Sequence, residues 1–187
     1  AGDDTYVVRR TGTLVVENDG EGIDTAKIAY AGAAWHLADF VENGVALAGK
    51  LAVAIDGNAL DNVLTGNDGN NTLTGNGGND TLIGNASNNY FQGGTGNDVL
   101  LGGFGNDQVF GEAGNDRLMH GGDSDALIGG SGFDVATYAH CNCGWPRWDC
   151  PLSGAPNHTS WPRSMPCWIP RRMAAPCRTC SPVPPAP

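Results

Sequence analysis

One exact period of nine residues governs residues 57–137. Its clearest part, Gly93 to Met119, reads GGTGNDVLL, GGFGNDQVF and GEAGNDRLM. Upstream, in the same frame and with no insertion, stand GNALDNVLT, GNDGNNTLT, GNGGNDTLI and GNASNNYFQ; downstream stand HGGDSDALI and GGSGFDVAT. The eighth position of every block is apolar: Leu64, Leu73, Leu82, Phe91, Leu100, Val109, Leu118, Leu127 and Ala136. The sixth is always Asp or Asn: Asn62, Asn71, Asp80, Asn89, Asp98, Asp107, Asp116, Asp125 and Asp134. A frame held over nine blocks outranks any local helix or strand preference, because each block must be one structural unit leaning on its neighbours.

Glycine at this density calls for positive φ or close backbone approach, so the first six residues of a block read as a turn. Asn58, Asn67, Asn76 and Asn85 occupy the second position, where Asn tolerates the left-handed region. The last three residues, such as Val99-Leu100-Leu101, predict a short strand with its middle side chain on one face. Two blocks then form one coil of a flattened solenoid, and blocks two apart stack as parallel strands about 4.8 Å apart.

Stacking sorts the sixth positions into two rows. One edge carries Asn62, Asp80, Asp98, Asp116 and Asp134; the other carries Asn71, Asn89, Asp107 and Asp125. Carboxylates ~5 Å apart repel by about 3 kcal/mol at an effective dielectric of ~20, so the arrangement calls for a cation. The donors on offer are carboxylate oxygens and turn carbonyls, including those at the fourth-position glycines Gly78, Gly96, Gly105, Gly114 and Gly132. A flexible, all-oxygen donor set suits several Ca2+ ions better than magnesium or zinc. On the second edge Ser87 and Asp123 replace the fourth-position Gly. Asn there is expected to coordinate through its amide oxygen, more weakly than Asp.

The pattern GGxGxDxUx, with U a large apolar residue, resembles the RTX (haemolysin-type) calcium-binding repeat over Gly57 to Thr137. The resemblance implies an all-β fold, a right-handed parallel β-roll (RTX solenoid), with calcium between stacked turns. It also implies export by a Gram-negative type I secretion machinery, a secreted, extracellular place, and folding on calcium outside the cell. Residues 1–56 are similar to the irregular spacers between such blocks, through DTYVV, VVEN, GEGIDT, a second VEN and GNALDNVLTGN; their strands are expected to continue the roll. The alternative is an accessory module of a type I secreted enzyme (a metalloprotease, a lipase or an alginate epimerase) whose catalytic domain lies outside this chain. A third reading is an adhesin-like surface protein.

Within the spacer, TYVVRR and TLVVEN flank Thr11-Gly12 and predict strand–turn–strand. Gly20, Gly22 and Asp24 fall at the second, fourth and sixth places of one more turn, which adds Asp24 to the candidate ligands. A short helix over 36–42 fits the residues, bounded by Gly44 and Gly49. His36, Asp39 and Glu42 read as ordinary surface residues, and His120 as a turn substitution for the first-position Gly. No H-E-x-x-H, G-x-S-x-G or phosphate-loop pattern is present, so these residues predict a binding module and not an enzyme. Gly2, Asp4 and Tyr6 fit the end of another block; the expectation is a piece of a longer protein with an upstream domain.

Composition changes abruptly near residue 138. Residues 1–140 hold 19 acids against 5 basic residues, whereas all 11 Pro and all 6 Cys lie beyond. The acidic part has no basic patch, which argues against nucleic acid as a partner, and no stretch is long and apolar enough for a transmembrane segment. Residues 138–187 hold Cys141, Cys143, Cys150, Cys167, Cys177 and Cys180 among dense Pro, Arg and Trp. Three disulfides, a thiolate site or an out-of-frame reading all remain open there, and the proline density predicts a disordered tail.

Overall fold

The structure is a computed structural model that describes residues 2–20, 22–121, 124–138 and 150–151. Among the described residues there is no helix. Fifteen strands follow one another: β1 Thr5–Val8, β2 Thr25–Ile28, β3 Trp35–His36, β4 Asn43–Ala46, β5 Ala54–Asp56, β6 Val63–Thr65, β7 Thr72–Gly77, β8 Thr81–Ile83, β9 Tyr90–Thr95, β10 Val99–Leu101, β11 Gln108–Ala113, β12 Arg117–His120, β13 Ala126–Ser131, β14 Val135–Tyr138 and β15 Cys150–Pro151.

Alternate strands go to opposite sheets. One sheet has the order β1-β2-β4-β6-β8-β10-β12-β14-β15, the other β13-β11-β9-β7-β5-β3. Every pairing is parallel except β14 with β15. The described residues therefore form a β-solenoid of about seven coils. Most coils advance the register by 18 residues, as in Leu82↔Leu100↔Leu118. The steps Thr5↔Thr25, Asn43↔Val63 and Trp35↔Ile55 are longer by two, so the spacer absorbs its extra residues in the turns.

The core is two facing columns of side chains. In the first sheet, register aligns Ala26, Gly44, Leu64, Leu82, Leu100, Leu118 and Ala136. In the second it aligns Trp35, Ile55, Leu73, Phe91, Val109 and Leu127. Leu64, Leu73, Leu82, Phe91, Leu100, Val109 and Leu118 are all fully buried. Only Leu127, near the C-terminal end of its column, is half-buried.

Four local expectations need correction. Residues 13–16 form no strand: Val15 is buried, but Leu14 and Val16 point to solvent, because the enlarged first coil passes them outside the sheet. Residues 36–42 form the end of β3 and a turn, not a helix, with Leu37 and Val41 buried in the core. Gly44, which sequence treated as a helix stop, is an inward sheet position; a Cβ there would lie 2.9 Å from Ile55 Cγ2 and 3.1 Å from Leu64 Cδ2. Finally, β7, β9, β11 and β13 are six residues long, not three; they run on into the following block and lengthen the coil-to-coil ladder at that edge. Apart from the backbone of Tyr138 and of Cys150–Pro151, the expected tail of 138–187 lies outside the described residues, as does Asp123.

Candidate metal centre

Each sixth-position side chain reaches back to the coil before it. The Asp80 Oδ1 accepts the Asn62 N–H at 2.7 Å, Asp98 Oδ1 that of Asp80 at 2.8 Å, Asp116 Oδ1 that of Asp98 at 2.9 Å, and Asp134 Oδ1 that of Asp116 at 3.0 Å. The opposite edge repeats this: Val53 N–H to Asn71, Asn71 N–H to Asn89, Asn89 N–H to Asp107 and Asp107 N–H to Asp125, all to Oδ1 at 2.8–3.3 Å. The turns thus bring the candidates together in two rows. In the spacer, Asp24 accepts the Asp4 N–H and its own N–H donates to Glu42 Oε2, so Glu42 stands in the first row between Asp24 and Asn62. Sequence reasoning passed Glu42 over; its spacing of 18 from Asp24 was the available signal. Asp24 also lies with Asp4 and Glu17, their ligand atoms within 4.8 Å of one another.

The second carboxylate oxygens are the chemically important ones. The Oδ2 atoms of Asp80, Asp98, Asp116 and Asp134 are buried and accept no hydrogen bond. A buried carboxylate oxygen with no donor is costly. Burial accordingly pushes the Asp80 carboxyl up to about 7 and that of Asp116 up to about 6, against the opposing backbone N–H bonds, with neighbouring carboxylates adding to the rise. Asp98 is raised by the same burial.

First-position glycines shape the space these oxygens face. A Cβ on Gly93 would overlap Asp98 Oδ2 and lie 2.7 Å from the Gly111 carbonyl oxygen. Gly75 and Gly111 face the same pair of atoms in their own coils: Asp80 Oδ2 with Gly93 O, and Asp116 Oδ2 with Gly129 O. Fourth-position glycines close the turn from the other side. Gly96 has φ +127°, and a Cβ there would collide with the Gly78 carbonyl; Gly78, Gly105, Gly114 and Gly132 repeat the conformation. Carboxylate and main-chain oxygens, charged and undonated, are the donor set of a hard cation such as Ca2+. The residues of this row fit calcium, which would supply the positive charge that the buried Oδ2 atoms lack.

Three sixth-position Asn residues behave differently from the Asp. Their Oδ1 atoms are occupied by backbone N–H groups, which fixes the amide orientation. The Asn71 Nδ2 donates to the carbonyls of Asn67 and Gly69 and to Asn89 Oδ1. The Asn89 Nδ2 donates to those of Ala86 and Ser87 and to Asp107 Oδ1. The Asn62 Nδ2 reaches Asn58 Oδ1 and the Val41 and Glu42 carbonyls. At the second position, Asn76 and Asn85 do have positive φ. Asn58 and Asn67 do not; their side chains instead donate to Ala38 and Val41, and to Leu47 and Leu51, because they face the enlarged spacer coil. His120 places its Nδ1 2.9 Å from Asp125 Oδ2.

A second ladder was missed entirely. Fifth-position side chains bond in the opposite sense: Asn79 N–H to Asp61, Asn97 N–H to Asn79 and Asn115 N–H to Asn97 on one edge, Asn88 N–H to Asn70 and Asn106 N–H to Asn88 on the other, all to Oδ1. The recurrence of Asn before the sixth position was visible in the blocks.

A family model described as the RTX calcium-binding nonapeptide repeat (4 copies) matches residues 56–91 and again 83–118. No curated protein and no solved structure matches the chain. The matched stretch covers four of the blocks that build the first carboxylate row and its glycine turns, and on both counts residues 56–118 are RTX calcium-binding nonapeptide repeats.

Proposed function

We propose that this solenoid is a calcium-triggered folding module of a secreted protein, exported by a type I machinery and assembled outside the cell. The observation that carries the reading is the row of buried, undonated Oδ2 atoms on Asp80, Asp98, Asp116 and Asp134. Without a cation those charges must be buried bare or protonated; with one, ion binding and coil stacking become a single event. Its role is to bind ions and to support a neighbouring domain rather than to carry out a reaction. The test is far-ultraviolet circular dichroism of the full chain in excess chelator, followed by calcium titration. A spectrum that turns from unordered to β with calcium, and not with magnesium at equal concentration, supports the proposal. A β spectrum already complete in chelator overturns it.

A further inference from the structure

The two edges of the roll are built from the same repeat but finish their turns differently. On the edge of Asp80, Asp98, Asp116 and Asp134, the space before each first-position Gly receives a bare carboxylate Oδ2. On the opposite edge that space receives nitrogen at Gly66 and Gly84, whereas at Gly102 it again receives a carboxylate oxygen, Asp107 Oδ2. A Cβ on Gly84 would lie 2.6 Å from Asn89 Nδ2, and one on Gly66 2.7 Å from Asn71 Nδ2. Those two amide groups donate to the turn carbonyls of Asn67, Gly69, Ala86 and Ser87. They also reach the Oδ1 atoms of Asn89 and Asp107 in the next coil. At the last coil the first-position Gly is replaced by His120, whose ring lies in the turn with its side chain 12% exposed and Nδ1 2.9 Å from Asp125 Oδ2.

We propose that calcium loads the edge of Asp80, Asp98, Asp116 and Asp134, and that the coils of Asn71 and Asn89 on the opposite edge are closed to ions by those two amides. The physical reason is substitution of donors. An amide NH2 aimed at carbonyl and carboxylate oxygens does what a cation does there: it offers positive charge to oxygens that have no other donor. It also excludes the ion, since its hydrogens face the place a metal would take and its own oxygen is already bonded to a backbone N–H. The Asp-lined turns are thus switched by calcium, and the Asn71 and Asn89 coils are tied permanently.

This inference rests on the calcium reading above. Native mass spectrometry of the full chain, with calcium added, counts bound ions in the wild type and in three variants. Asp98→Ala is expected to lose at least one ion. Asn71→Ala is expected to lose none, because its coil carries none on that edge. Asn89→Asp removes the blocking amide beside Asp107, with Gly84 and Gly102 already in place, and is expected to gain one ion. An ion lost from a folded Asn71→Ala, or an unchanged count in a folded Asn89→Asp, overturns the assignment of closed coils. Wild type that binds no calcium overturns the calcium reading itself, and this inference with it; a wild type that binds calcium isolates the question of closed coils.

Discussion

A sixth-position carboxylate does two jobs with its two oxygens. Oδ1 ties the turn to the preceding coil, and Oδ2 is buried without a hydrogen-bond donor, open to the proposed ion. Because burial raises the Asp80 and Asp116 carboxyls to about 7 and about 6, the ion-free roll binds more protons than the unfolded chain between about pH 4 and pH 7. Its stability is therefore greatest at the acid end of that window and falls as pH rises through it. In chelator, more β signal is expected at pH 5 than at pH 8. With calcium the order reverses, since protons compete for the same oxygens: the midpoint calcium concentration should rise as pH drops from 8 to 6. A midpoint independent of pH would show that these carboxylates are not the ligands. Gly93 gives a steric test. A methyl group there overlaps Asp98 Oδ2 and crowds the Gly111 carbonyl, so Gly93→Ala should cost about 1–3 kcal/mol and weaken the calcium midpoint. Calcium-dependent melting of the variant against the wild type measures both.

Elements depend on two different supports, and the sequence disclosed them unequally. The inward columns were legible, because an apolar eighth position every nine residues leaves no other face to bury. So were the two rows of sixth positions. What one block could not disclose was the direction of hydrogen bonds between blocks. The fifth-position ladder, the amide orientation of Asn71 and Asn89, and the contact of His120 with Asp125 exist only once coils are stacked. Residues 13–16 and 36–42 misled for a related reason: their local propensities were outweighed by the path of an enlarged coil around the core. The two supports differ in magnitude. Leu100→Ala empties a fully buried site between Leu82 and Leu118 and should cost about 2–5 kcal/mol. Asn97→Ala removes one exposed acceptor and donor in the fifth-position ladder and should cost about 1 kcal/mol. Chemical denaturation in saturating calcium separates them, and near-equal losses would mean that the ladder carries more of the fold than its exposure suggests.

At the scale of the molecule, the described residues form a stack in which each coil meets only the coils on either side, so its stability builds up from neighbour terms along one axis. That axis also governs how the chain tolerates changes of length. The repeat in sequence is one block, but the repeat in space is two, as the 18-residue register shows. Removing residues 84–101 takes out one complete coil; everything beyond keeps its sheet and its edge, and Asp80 then abuts Asp116. Removing only residues 84–92 leaves every sequence motif intact yet transposes all that follows: Asp98, Asp116 and Asp134 move to the other edge, and Asp80 falls beside Asp107. Calcium titration of the two shortened chains should find near-normal cooperativity in the first and a broadened, weaker transition in the second. Such a roll has a grammar of even numbers, in which a gene can stutter by pairs of blocks without altering the meaning of any residue and cannot stutter by one.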